Sequence, residues 1–178
     1  KLNFSVVYGA GPYLLSQQLG VPKDEAARLQ KELFKLYPEI PRVMKALADQ
    51  AKSRGCAPYI KTLTGRRVYI PDLLNVDPRA QSAGVRKAGN APIQGSAFDI
   101  MKIGMVNVRK RLMASLMWNT EVRCVNNLHD EVTYEVLDDT YTIETATCIV
   151  QHELEQAFKL RVPLVAEPKV GRTWLECK

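Results

Sequence analysis

The sequence predicts an α+β fold. Apolar residues recur at helical spacing through most of the first 55 residues, between about Asp77 and Leu116, and again from about Thr140, whereas they alternate over residues 56–73 and 122–137. Each alternating stretch is split by a turn, so each reads as an antiparallel hairpin, and the long helices must cover an antiparallel sheet. With 178 residues, 46% hydrophobic and 25% charged, the chain can bury a core and is too apolar to be compositionally disordered.

Taken in order, "KLNFSVVYGAG" (1–11) allows helix or strand and ends in paired glycines. "PYLLSQQLG" (12–20) and "PKDEAARLQKELFKLYP" (22–38) read as helices, with Gly20 as a stop, Pro22 near a first turn and acids early in the second helix. Leu29, Leu33 and Leu36 share a spacing that would face a core. "PRVMKALADQAKSRG" (41–55) is a third helix, closed by Gly55 after a basic last turn. "CAPYIKTLTGRRVYIPDL" (56–73) forms a basic hairpin about Thr64-Gly65. The long helical pattern that follows contains Pro92, which lacks a backbone donor, so a kink or break is expected there. "VRCVNNL" and "EVTYEVL" flank a His-Asp turn as antiparallel strands. "TYTIETATCIVQHELEQAFKL" (140–160) is an amphipathic helix behind Asp138-Asp139, and the tail (162–178) offers one more strand.

The formal charge of +6 favours a polyanionic partner without naming one. Cys56, Cys124, Cys148 and Cys177 show no metal-type pairing with His129 or His152 and read as free thiols in a reducing compartment. No apolar run approaches the roughly 18 residues of a membrane span, and no signal peptide opens the chain. A pattern already under way at Lys1 leads us to expect polypeptide upstream.

Chemistry concentrates at three places. Asp130 and Glu131 lie in the bend of an apolar hairpin. They are either ordinary turn acids or metal ligands, because adjacent acids near a buried sheet repel unless a cation neutralises them. Oxygen ligands of this kind suit Mg²⁺ held with substrate phosphates. Two-metal phosphoryl transfer needs a further carboxylate, and the other aspartates here lie on predicted helices or turns with no strand-borne metal motif. Arg86, Asn90 and Gln94 are spaced four apart around Pro92 and can share a face. Their amides and guanidinium suit the acceptors of a DNA minor groove, or else satisfy local backbone groups at a helix break. Arg66 and Arg67 after the first hairpin turn suit phosphates, or form a solvated pair. Phe4 and Tyr8 would share a helix face as core or as a stacking platform, with Gly9 and Gly11 permitting close approach.

Together these segments resemble the family A DNA polymerases, the DNA polymerase I-like group. "NFSVVYGAG" is similar to the end of that family's fingers helix, "TLTGRRVYIPD" to its basic hairpin, "NAPIQGSAFDIMK" to its long palm helix and "LHDEV" to its third polymerase motif. They stand in the family's order over nearly all of the chain, down to "VPL" and "GRTWLECK". The resemblance implies an incomplete polymerase right hand, with residues 1–55 part of the fingers and 56–178 the carboxyl-terminal half of the palm. It implies Asp130 as a ligand of two catalytic Mg²⁺ ions, Glu131 beside it in the catalytic site, and His129 near the primer 3′ end. Phe4 would pack on the incoming nucleotide, Tyr8 would stack near the templating base, and Arg86, Asn90 and Gln94 would read the minor groove. Arg66 and Arg67 would contact DNA. The implied partners are primer-template DNA, deoxynucleoside triphosphates and remaining polymerase polypeptide, in the same chain or a separate subunit, with no membrane. The implied setting is the cytoplasm or nucleoid of a bacterium or phage-infected cell, an organelle being the alternative.

The chain departs from the family pattern at informative places. The family's triphosphate-binding Lys lies four residues before Phe4, off the chain, and Lys1 does not match it. Ser5 stands where Gly is common. The second metal aspartate, the thumb and any exonuclease domain have no counterpart, so these 178 residues alone are not expected to polymerise DNA. Two rivals are a single-subunit RNA polymerase, which typically has Met where this chain has Phe4, and a non-catalytic DNA-binding accessory subunit.

Overall fold

The computed structural model of the chain describes residues 5, 6 and 9–177, so Phe4 and Tyr8 lie outside the described residues. By contact density the chain forms two compact bodies, 1–96 and 97–178.

In the first body, α1 (Pro12–Leu19) starts at a proline suited to the first turn and ends on Gly20, left-handed at φ 68°. Helix α2 (Lys23–Leu36) carries Asp24 and Glu25 in its first turn and buries Ala26 and Leu33. The expected apolar stripe is only partly right. Leu33 is buried but Leu36 is 74% exposed, because it is the last helical residue and lies about 60° round the helix from Leu33. Ala26 extends the buried stripe in the other direction, in a cluster with Val6, Ala10 and Leu15. Helix α3 (Glu39–Lys52) closes through a turn at Gly55, φ 77°.

Strands β1 (Tyr59–Lys61) and β2 (Arg67–Tyr69) pair antiparallel around Gly65 and lead into a 3₁₀ turn, Pro71–Leu74. Ile60, Ile70 and Leu73 from this region pack among Ala48 and Ala51 of α3 and Ala88 and Ala91 of the next helix.

That helix, α4 (Pro78–Ala114), runs unbroken through Pro92, so the break expected at the proline does not occur. An internal proline costs a helix about 3 kcal/mol. Around the proline, Ala88 and Ala91 are buried in the core of the first body, and Ser96 accepts the Leu63 N–H and donates to the Pro92 carbonyl.

The end of α4 belongs to the second body. Met117 N–H donates to the Leu112 carbonyl and Leu116 N–H to the Met113 carbonyl, a Schellman ending with Leu116 in the left-handed position at φ 60°. Leu112 and Met117 then pack with Val108, Val122 and Ala146. Strands β3 (Val122–Leu128) and β4 (Glu131–Val136) pair antiparallel with Leu128 opposite Glu131 and a bulge at Val125. Helix α5 (Thr140–Glu155) is capped by Asp139, whose carboxylate accepts the N–H groups of Tyr141 and Thr142 at 3.1 and 3.3 Å. It ends at Glu155 rather than Leu160, where a bond from Ala157 N–H to the Leu154 carbonyl tightens the final turn.

The strand expected in the tail is absent among the described residues. Ala166 instead donates its N–H to Glu155 and accepts from the Gln151 amide, so α5 side chains satisfy the backbone that a ladder partner would have taken.

Candidate nucleic-acid and metal surfaces

The β3–β4 hairpin has a partly buried, packed base and an exposed tip. At its base, Cys124 and Tyr134 face each other across the strands, and burial raises the pKa of each above its ordinary value. At its tip, His129, Asp130 and Glu131 are all exposed. His129 is the first of two loop residues and sits at φ 55°, a region where His is several-fold enriched among non-glycine residues. The Asn127 amide donates to the Glu131 carbonyl at 3.2 Å and braces the turn. The bulge at Val125 adds one residue to β3 below the tip and sharpens the local twist, a device common beside active sites.

Two adjacent, solvated carboxylates can offer oxygen ligands to a hard cation. Among the described residues, however, no three His, Cys, Asp or Glu side chains cluster closely enough to hold a metal. A cation held at the tip would take its other donors from water, substrate phosphate or further polypeptide.

The second surface is the face of α4 carrying Arg86, Asn90 and Gln94. Arg86 and Asn90 are half-buried and Gln94 is exposed. Arg86 donates to the Ser82 hydroxyl at 2.9 Å, and its stem lies against Gly9, where a Cβ would come 2.6 Å from Arg86 Cγ. Gly9 also has φ 78°, so both backbone and packing call for glycine. A cleft runs beside it, lined by Gly9, Gly11, Tyr13, Gln18 and Arg86.

The third surface is the β1–β2 hairpin. Arg66 donates to the Gly95 carbonyl at 3.1 Å. Arg67 lies 4.9 Å over the Tyr59 ring, and its hydrogen bond with Tyr69 holds its pKa above the ordinary value. Arg54 covers the same ring at 4.2 Å and donates to the Tyr59 hydroxyl at 2.9 Å. Tyr59 and Tyr69 are cross-strand partners with ring centroids 5.7 Å apart. Sequence reasoning missed Arg54, Tyr59 and Tyr69; the signal was available in two tyrosines placed symmetrically about Thr64-Gly65.

A family model described as DNA polymerase family A matches residues 1–176. The chain belongs to that family. It is 37% identical over 177 residues to the thermostable DNA polymerase I of Thermus filiformis, covering 99% of this chain and 20% of the relative. To DNA polymerase I of Bacillus caldotenax it is 35% identical, covering 99% and 19%. Among solved structures it is similar to the POL domain of Pol1 from M. smegmatis, in complex with DNA primer-template and dNTP. There the TM-score is 0.84 at 32% identity, covering 99% of this chain and 30% of the other. The chain thus spans about a fifth of the length of the curated relatives it matches. For a family A polymerase segment, the α+β architecture is the one the periodicity predicted.

Proposed function

We propose that this family A chain is the part of a DNA-directed DNA polymerase that carries one catalytic carboxylate and a set of contacts to DNA. The observation that carries the reading is the solvated Asp130–Glu131 tip on a hairpin whose base packs on an apolar cluster through Val122, Tyr134 and Val136. The complete enzyme would extend a primer on a template: the primer 3′ hydroxyl attacks the α-phosphate of a deoxynucleoside triphosphate and pyrophosphate leaves. Residues 1–55 belong to the fingers and 56–178 to the palm in this reading. Other polypeptide supplies the second metal aspartate and the triphosphate-binding Lys.

Asp130 would hold divalent metal, two Mg²⁺ ions in the finished site, with Glu131 beside it fixing the geometry of the primer end. Bound there, the ions would offset phosphate charge and promote ionisation of the attacking hydroxyl. His129, held at the turn, would contact the primer strand. Arg86, Asn90 and Gln94 would take minor-groove acceptors that all four base pairs share, so that pair shape is sensed without a sequence requirement. Arg66 and Arg67 would meet phosphates. Phe4 and Tyr8 would flank the incoming nucleotide and the templating base. Such an enzyme would serve replication or repair in the cytoplasm or nucleoid.

The test is Asp130→Ala in the full-length polymerase. Single-turnover extension should fall by about 1,000-fold or more while duplex affinity stays within about twofold, because the metal term acts on the transition state. Undiminished synthesis would instead make the chain a non-catalytic DNA-binding component.

A further inference from the structure

The turn between β1 and β2 is fastened to α4 just where that helix lacks a backbone donor. Pro92 offers no N–H to the Ala88 carbonyl, and an unsupported helix kinks at such a point by more than about 20°. Ser96, only 3% exposed, accepts the Leu63 N–H at 2.9 Å and donates its own proton to the Pro92 carbonyl. Arg66 reaches the Gly95 carbonyl one residue earlier. Gly95 is what lets the turn come so near: a Cβ there would lie 2.8 Å from Thr62 Cγ2 and 3.3 Å from Arg66 Nη2.

Thr62 has little freedom to give way. It is 5% exposed, its N–H donates to the Arg66 carbonyl at 2.9 Å, and its hydroxyl accepts the Arg66 N–H at 3.2 Å. The fastening therefore has a fixed side and a fixed length. Gln94 is the exposed residue immediately before the fastened pair Gly95-Ser96, and Pro92 lies two residues before Gln94.

From this geometry we infer that the β1–β2 turn is a positioning device: Thr62, Leu63 and Arg66 set the course of α4 past Pro92 and so aim the Gln94 amide. Without it, a bend or rotation of about 20° would move a side-chain tip some 6 Å from the helix axis by about 2 Å. That exceeds the tolerance of a hydrogen bond. Gly95, Ser96 and Arg66 act through Gln94 and are positioning residues. The inference deepens the proposed minor-groove role of Gln94 and rests on it.

The experiment uses the full-length polymerase and primer-templates in which purines of the last two pairs are replaced, one at a time, by 3-deaza analogues that lack the minor-groove N3 acceptor. At one of these positions wild type should extend the analogue about tenfold more slowly, the size of one lost hydrogen bond, and Gln94→Ala should abolish that difference. Gly95→Ala and Ser96→Ala should also abolish most of it while still binding duplex. Ser96→Ala removes only a hydroxyl and carries the test if Gly95→Ala does not fold. Full sensitivity in the folded variants, alongside an insensitive Gln94→Ala, overturns the positioning role and leaves the minor-groove reading standing. Wild type indifferent to every analogue overturns that reading and this inference with it.

Discussion

Leu112→Ala tests how the hairpin that carries Asp130 is held. Leu112 is fully buried among Val108, Met117, Val122 and Ala146, and it forms the apolar contact of the Schellman ending with Met117. The substitution removes three carbons from beneath the start of β3. Buried Leu→Ala changes cost about 2–5 kcal/mol according to how far the site collapses. Here the lining residues are fixed by the α4 ending and by the β3–β4 ladder, so little collapse is available and the expected loss is about 3–4 kcal/mol. Urea unfolding followed by tryptophan fluorescence measures it, since Trp118 packs on this cluster. Met113→Ala, one residue along and 48% exposed, is the control and should cost less than about 1 kcal/mol. A Leu112→Ala loss no larger than the control's would refute the claim that this cluster anchors the hairpin.

Leu116→Gly should stabilise the chain by about 0.5–1 kcal/mol in the same titration, because Leu116 is 83% exposed and holds φ 60° where glycine carries no Cβ penalty. Asp139 has a folded pKa below its ordinary value of 3.8, chiefly through its hydrogen bond with Thr142. Its contribution is therefore complete above that value and lost as pH falls through the lower folded pKa, so Asp139→Asn should flatten the acid limb of the stability profile; an unchanged limb would count against the cap. Arg67→Gln in the full-length enzyme should lower the salt slope of duplex binding by about one counterion, whereas an unchanged slope would place Arg67 off the phosphates.

Much of the local structure was legible because the chain punctuates itself. Gly20, Gly55 and Gly65 each take the left-handed backbone that their positions in the pattern suggested. The two hairpins followed from alternation about Thr64-Gly65 and His129-Asp130. The helix continues through Pro92 without the break one reading of that proline allowed, and the bonds from Leu63 to Ser96 and from Arg66 to Gly95, some thirty residues apart, are encoded by no local pattern. The tail strand misled for a related reason: β-propensity is readable but a ladder partner is not, and Gln151 and Glu155 took the backbone groups instead. The acidic tip was visible as two acids inside alternating apolar runs. Its exposure beyond a half-buried Cys124–Tyr134 pair became visible only in the fold.

The central claim is that the Asp130 carboxylate binds divalent metal during synthesis. Its most direct measurement is Mn²⁺ binding, read by electron paramagnetic resonance, to the full-length polymerase loaded with primer-template and a non-reactive nucleotide. Asp130→Asn should weaken binding by about tenfold or more with the duplex still bound, since even the loss of an outer-shell partner costs a metal site 10–100-fold. Equal Mn²⁺ affinity in wild type and Asp130→Asn would contradict the account.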